Sequence, residues 1–182
     1  EKKIYPIENY GSAMTPFYST LAIWVGAVVM AAMIKVTVAY STKKKLFHPK
    51  EYQLYIGRIL LLIIIGFMQS ALICLGDLFF LGIQCKHPVM FVLTGMFTSF
   101  VYVNLIYALT VSFGDIGKAI AVVLMVMQVA GSGGTFPIQC APKFFQIVYP
   151  LLPFTHSMNA MRECIAGFYG TTYATELGKL AI

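Results

Sequence analysis

The architecture is governed by one segment, which begins Gly131-Ser-Gly-Gly-Thr-Phe-Pro-Ile-Gln-Cys-Ala-Pro-Lys-Phe-Phe145 and ends Pro150-Leu-Leu-Pro-Phe-Thr-His-Ser-Met-Asn-Ala-Met-Arg162. It is apolar enough for a membrane, but its glycines and prolines prevent one continuous helix. In hydrocarbon, a backbone group without a hydrogen bond costs several kcal/mol unless protein or water satisfies it. We therefore expect a broken helical hairpin, residues 132–166, which lies at the outer surface or re-enters the bundle without crossing it.

The composition indicates an integral membrane protein. Of the 182 residues, 59% are hydrophobic and only 11% are charged, whereas about a quarter are charged in a soluble domain. The net charge of +6 does not indicate nucleic acid, because its densest cluster, Lys43–Lys45, lies beside an apolar run. The partner that this composition predicts is membrane lipid.

Four apolar runs predict an all-α integral membrane fold with four transmembrane helices, at about residues 16–40, 54–83, 88–113 and 116–131. Residues 1–15 are predicted to be an extracellular linker that leads to the first span. The basic cluster places the loop between the first two spans in the cytoplasm by the positive-inside rule. The alternation of spans then puts the 85–88 turn and the broken hairpin outside.

Two separated motifs resemble the YhgE/Pip (phage infection protein) family of bacterial membrane proteins. The first is Asn9-Tyr-Gly-Ser-Ala-Met-Thr-Pro-Phe17, followed by Leu21-Ala-Ile-Trp-Val-Gly26. The second is Gln128-Val-Ala-Gly-Ser-Gly-Gly-Thr-Phe-Pro-Ile138, followed by the proline pair and Asn159-Ala-Met-Arg162. Because the chain starts without Met and has no signal-peptide pattern, we expect it to be part of a longer protein.

The resemblance implies a module similar to type 2 ABC permeases, in which six helices form one half and a re-entrant hairpin precedes the last helix. It implies a fragment of that module, working in export or secretion across the bacterial plasma membrane. Relatives include EsaA and YueB of type VII secretion, and some serve as phage receptors. The alternative is a non-transporting anchor or scaffold for an extracellular domain. A secretion-system or ATPase partner is implied by the same comparison.

The glycines and prolines that break the helical hairpin make it a candidate outer gate for a transport path. Phe144, Phe145, Ile147 and Val148 should bury one side of it against the bundle. Asn159 and Arg162 should hold the other end at the membrane interface. The candidate gate residues are Gly131, Gly133, Gly134, Pro137, Pro150, Pro153, Asn159 and Arg162.

Polar residues within the apolar runs form a second candidate set. A charge at mid-bilayer costs at least about 2.5–3.5 kcal/mol, so these side chains should face protein. They would either make interhelical hydrogen bonds that fix the bundle or line a polar path. The candidate intramembrane polar residues are Arg58, Gln69, Asp77, Asn104 and Gln128.

Small residues four positions apart indicate close helix contacts. Such pairs are Ala22/Gly26, Ala27/Ala31, Gly66/Ser70 and Gly95/Ser99. Since permease relatives work as pairs, we expect a homodimer.

We find no motif for catalysis, a cofactor or a metal. The chain has no phosphate-binding G-x-x-x-x-G-K-[ST] loop, and its histidines lie in different segments without ligand spacing. His156, beside Ser157, is interpreted as a capping or interface residue. Cys85 and Cys140 are both expected outside, and whether they form a disulfide stays open.

Overall fold

The structure is a computed structural model that describes residues 9–33, 51–134, 138–168 and 170–181. The basic cluster Lys43–Lys45 and the candidate gate residue Pro137 lie outside these ranges. Within them, every regular element is helical, so the predicted all-α membrane fold is confirmed. The α-helices are α1 Tyr10–Met33, α2 Glu51–Phe79, α3 Pro88–Phe113, α4 Asp115–Gly131, α5 Lys143–Val148, α6 Pro153–Ala166 and α7 Thr172–Ala181.

Three helices, α1, α2 and α3, are long and apolar enough to cross a membrane. The fourth predicted span, α4, has only 17 residues, or about 25 Å at 1.5 Å per residue. That is shorter than a hydrocarbon core of about 30 Å. Helix α4 ends at Gly131, where the glycine-rich segment begins. Unlike α1, α2 and α3, it is not long enough to cross the hydrocarbon core.

Helix α1 begins at Tyr10, within the residues that we had assigned to an extended linker. Proline at position 16 removes only one backbone donor, and the Ala13 N–H already bonds the Asn9 carbonyl at 3.3 Å. Burial of Thr15, Pro16 and Phe17 against the bundle favours the helical conformation. The polar residues before the first span thus extend it instead of forming a loop.

The core lies between α1, α3 and α6. Its largest side chains, Trp24, Phe91 and Tyr102, are fully buried, and Ile106 is 1% exposed. The rings of Trp24 and Tyr102 meet edge to face, with centroids 4.7 Å apart. The interior of one copy is therefore filled by side chains at this level.

The small residues allow α2 to pack closely on its neighbours within the same chain. An added Cβ at Gly26 would lie 1.6 Å from the Gln69 amide nitrogen, and one at Gly95 would lie 2.4 Å from Cys74 Sγ. At Gly66 it would meet Ser99 Oγ at 2.8 Å. These contacts use the small-residue pairs inside one copy, so the dimer expected above does not draw support from them.

The hairpin segment is divided into α5, a 3-10 turn at Tyr149–Leu151, and α6. Of the four residues expected to bury one side of it, Phe144 is 56% exposed and Ile147 is 72% exposed, whereas Phe145 and Val148 are half-buried. Helix α6 is buried more deeply, against α1, α3 and α7. The reason is length, because a helix of six residues offers too small an apolar face to compete with one of fourteen.

We predict that Gly95→Ala destabilises the protein, because its new methyl group overlaps Cys74 Sγ and overpacking costs about 1–3 kcal/mol. Thermal unfolding in detergent should show a lower midpoint than wild type. The matched control is Gly57→Ala on α2, where an added Cβ meets nothing within 4 Å. The double variant Gly95→Ala, Cys74→Ala should recover most of the loss. An unchanged midpoint for Gly95→Ala would contradict the close packing.

Candidate functional site

Helix α6 is a polar helix in the interior of the bundle. It begins at Pro153, directly after Leu152, whose extended backbone separates it from the preceding turn. Proline fits the first position of a helix, where its missing N–H is not needed. Phe154, Met158 and Met161 form one buried stripe along the helix and are fully buried. This stripe fixes α6 between α1 and α3.

Polar contacts join α6 to the spanning helices. The Tyr102 hydroxyl on α3 is hydrogen-bonded to the Ser157 hydroxyl. Ser157 Oγ also lies 3.1 Å from the Pro153 carbonyl and 3.0 Å from the Phe154 carbonyl. Each hydroxyl has one proton to donate. Tyr102 is therefore best placed as the donor to Ser157, while Ser157 donates its own hydrogen bond to a backbone carbonyl of the helix. On α1, Thr20 Oγ1 lies 3.4 Å from Met161 Sδ.

A buried polar contact joins His156 on α6 to Glu176 on α7. Nδ1 of His156 lies 2.6 Å from Glu176 Oε2, and Nε2 lies 2.9 Å from the Pro150 carbonyl oxygen. Glu176 Oε1 also accepts from Lys179 Nζ at 3.2 Å. Both ring nitrogens of His156 therefore lie within hydrogen-bond distance of oxygen atoms. The contact ties the turn before α6 to α7.

The electrostatics of Glu176 agree with this arrangement. Burial raises the pKa of its carboxyl, but hydrogen bonds from His156 and Lys179, together with their charges, outweigh burial and leave the pKa below its ordinary value. The carboxylate form is thus favoured at neutral pH. His156 is only 6% exposed, so the pair is largely shielded from water.

Sequence reasoning missed this pair. His156 had been interpreted as a capping or interface residue, and Glu176 was not considered. A usable signal existed, because Tyr173, Glu176 and Leu180 follow a helical spacing that places an acid on the apolar face of α7. What the sequence could not supply was the partner, which lies twenty residues away on another helix.

The candidate gate residues have different local roles. Gly133 has φ +64°, a conformation that side chains with a Cβ rarely adopt. An added Cβ at Gly134 would lie 2.1 Å from the Phe17 ring, and one at Gly131 would lie 3.0 Å from Phe145. Other candidates lie around the turn before α6 and along that helix. The Pro150 carbonyl accepts a hydrogen bond from His156, and Pro153 starts α6. Asn159 Nδ2 donates to Tyr149 Oη at 3.3 Å, and Arg162 is half-buried.

The intramembrane polar residues do not converge on one path. The Gln69 amide donates to the Ala22 carbonyl on α1 at 3.1 Å, and Asp77 accepts from Ser19 on α1. Asn104 bonds the Phe100 carbonyl on its own helix at 2.7 Å. Gln128 is 1% exposed, and its Oε1 has no hydrogen-bond partner among the described residues. Arg58 is half-buried at the opposite end of α2 from Asp77, near Tyr107.

The cysteines are free thiols, so the disulfide left open above is not formed. Cys85 Sγ instead lies 3.4 Å from the Cys164 carbonyl on α6, while Cys140 is exposed. In the part of the chain that the structure describes, no group of three His, Cys, Asp or Glu side chains could hold a metal ion.

The sequence profile of the family described as "ABC-2 family transporter protein" matches residues 2–182. The chain belongs to the ABC-2 transporter family. This module is similar to the protein described as "Uncharacterized protein YhgE" from Bacillus subtilis (strain 168), with 27% identity over 164 residues. The match covers 90% of this chain and 20% of the relative, so the chain spans about a fifth of the relative's length. No solved structure gives a significant match.

These comparisons confirm the predicted resemblance to a YhgE-like, ABC-2 permease-like module. They also assign the chain to a family of transporter membrane domains, which is not a catalytic family. Helix α6 and its polar contacts are thus part of an ABC-2 transporter membrane domain.

We predict that Glu176→Gln lowers the stability of the protein at neutral pH by about 1.5–3 kcal/mol, because it removes a buried charge-assisted hydrogen bond. A carboxyl whose pKa is lowered in the folded state stabilises the fold at pH values above its ordinary pKa of 4.5. This contribution is lost as the pH falls through the lower pKa of the folded state. The difference in unfolding midpoint between wild type and Glu176→Gln should therefore be full at pH 7 and shrink below pH 4.5.

The matched control is Asp115→Asn. Asp115 also pairs with a lysine three residues ahead, at 2.8 Å from Lys118, but its side chain is 96% exposed and has no histidine partner. Exposed pairs contribute about 0–1 kcal/mol, so this variant should change the midpoint little. Equal effects of the two variants would contradict a special role for the His156–Glu176 contact.

Proposed function

We propose that this chain is the permease-like part of an exporter in the bacterial plasma membrane, and that residues 131–162 gate its outer mouth. The observation that carries the proposal is the polar helix α6, buried between the spanning helices α1 and α3 and preceded by a break at Tyr149–Leu152. A short helix held inside a bundle by exchangeable polar contacts is suited to movement.

The free-energy cost of burying polar groups favours a moving gate over a passive structural support. Burying a polar group costs free energy unless it is hydrogen-bonded, and a charged group costs more. A bundle that only anchored another domain could fill this position with leucine, yet α6 and α7 bring His156, Ser157 and Glu176 there. Two arrangements with different partners for these groups would give the gate two states.

A transport path would run between copies of the chain. Side chains fill the core of one copy around Trp24 and Tyr102. Helix α2 turns an apolar face outward, with Met68 64% and Leu72 71% exposed. We therefore place the path at an interface in a homodimer, bounded by the outer hairpin at its extracellular end.

The energy source would be a partner protein. The chain has no phosphate-binding loop of the G-x-x-x-x-G-K-[ST] type, so ATP would be hydrolysed by another subunit or the gradient of another solute would be used. The basic sequence segment that includes Lys43–Lys45 is the part of the chain that we propose contacts a cytoplasmic ATPase or a secretion-system component.

The second candidate is a membrane anchor for an extracellular domain, serving as a phage receptor or secretion component. It is favoured by the filled core of a single copy and by the chain's small share of its relative's length. In this case residues 131–162 would be a structural support, and their exact conformation would matter for stability alone.

The two candidates are separated by Gly133→Val in the full-length protein. Valine at φ +64° adds strain of about 1–3 kcal/mol at the gate. The matched control is Gly170→Val, where φ is +54° and an added Cβ meets nothing within 4 Å. Both variants should reach the membrane at wild-type levels, but only Gly133→Val should fail to complement a deletion strain. Mass spectrometry of secreted proteins and envelope lipids is the readout.

If the chain is part of an exporter, the same secreted proteins or envelope lipids should be missing in the deletion strain and in Gly133→Val. Normal export by Gly133→Val would exclude the gate and favour the anchor. Misfolding of Gly133→Val alone, seen as loss from the membrane fraction, would indicate that Gly133 only permits a tight turn.

We further predict that the full-length protein is a homodimer in native-like lipid. Mass photometry of the protein in nanodiscs should give twice the protomer mass over a dilution series. A monomer at every concentration would contradict a path between copies.

A further inference from the structure

A second cavity lies along the first turns of α1, at the same end of the helix at which Phe17 contacts Phe154 and Thr20 contacts Met161 of α6. A cavity of about 320 Å³ lies between the first turns of α1 and the last turns of α2. This volume is at the lower end of the range for small-molecule sites. Its walls are mostly apolar or aromatic, and they include Tyr10, Met14, Tyr18 and Leu81 around the carboxylate of Asp77.

Asp77 lacks a cationic partner among the described residues. Its hydrogen-bond partner there is the Ser19 hydroxyl, and the ion pairs among those residues do not include it. A carboxylate at a membrane boundary is costly unless it is paired or functional. Burial of a single acid in an apolar cavity therefore requires an explanation.

The hydroxyl groups around Asp77 cannot fully satisfy it. Ser19 Oγ lies 2.9 Å from the Thr15 carbonyl and also contacts Asp77, but a hydroxyl has only one proton for these two acceptors. The Thr15 hydroxyl is already used, since it donates to the Gly11 carbonyl at 2.9 Å. Ser19 can therefore satisfy only one of its two acceptors at a time, which leaves the carboxylate of Asp77 available to a ligand that brings protons or positive charge.

The aromatic walls select the kind of cation. Tyr10 is 77% exposed and Tyr18 is 59% exposed, and both line the cavity. A cation over the face of an aromatic ring gains electrostatic energy, and organic ammonium groups are recognised this way. A hydrated metal ion would instead require several oxygen ligands, whereas this cavity offers one carboxylate in apolar surroundings.

We propose that this cavity binds an organic ammonium group, with Asp77 as the counter-ion, Ser19 as the residue that orients the carboxylate, and Tyr10 and Tyr18 as the aromatic walls. The ammonium group is carried by a lipid headgroup or by a free organic cation. The residues that line this cavity belong to α1, to the end of α2 and to Leu81 just after it, and none of them is a candidate gate residue.

Choline is the first probe, and 3,3-dimethylbutan-1-ol is its neutral counterpart, in which carbon replaces nitrogen with nearly the same shape. Both are titrated by calorimetry into the full-length protein in phosphatidylglycerol nanodiscs, which contain no ammonium headgroup. Choline should bind saturably and at least about tenfold more tightly than the alcohol, because only choline pairs with Asp77. No saturable binding of choline, or equal binding of the two, would overturn the proposal without the use of any variant.

Variants assign the interaction to residues. Asp77→Asn should weaken choline binding by at least about tenfold and leave the weak binding of the alcohol unchanged. Tyr18→Leu keeps apolar contact but removes the ring face, and it should weaken choline binding severalfold. Asp115→Asn, which alters an exposed acid at the start of α4, should have no effect. Wild-type affinity in Asp77→Asn would exclude this site.

The source of the ammonium group is tested by adding phosphatidylethanolamine to the nanodiscs. A lipid headgroup as ligand predicts that apparent choline affinity falls as its fraction rises. A free organic cation as ligand predicts that choline affinity is independent of this lipid. Both results support an ammonium site and distinguish its source.

Discussion

The burial of a polar helix within an apolar bundle is the constraint on which the structure depends. A buried polar group without a partner costs free energy, and two polar side chains of α6 find partners on neighbouring helices, whereas Thr155 Oγ1 has none among the described residues. Ser157 meets Tyr102 on α3, and His156 meets Glu176 on α7. These partners fix the rotation of α6 about its axis, while Met158 and Met161 fix its depth.

The close packing of α1, α2 and α3 prepares the position for α6. Glycine at 26, 66 and 95 brings α2 against α1 and α3, so that the three helices present continuous surfaces. Aromatic side chains from α1 and α3 then fill the interior up to the level at which α6 enters. An ordered interior of this kind transmits displacement of one helix to the others, because packed side chains resist compression.

Two polar environments in the module have different chemistry. His156 of α6 contacts the carboxylate of Glu176, which also accepts a hydrogen bond from Lys179. Asp77, at the end of α2, is surrounded by hydroxyl groups that are already used by backbone carbonyls. The first environment is closed within the protein, whereas the second is open to a ligand that brings positive charge.

The sequence by itself determined the helical membrane fold, the shortness of α4 and the division of the hairpin, because composition, run length and proline act locally. Tertiary structure alone decided which half of the hairpin is buried and which polar groups meet. Residues 144–148 are more apolar than α6, yet α6 occupies the interior, because a long helix with matched hydrogen-bond partners gains more than a short apolar one. The hydrogen bond between His156 and Glu176 depends on the approach of two helices, and no local sequence pattern predicts it.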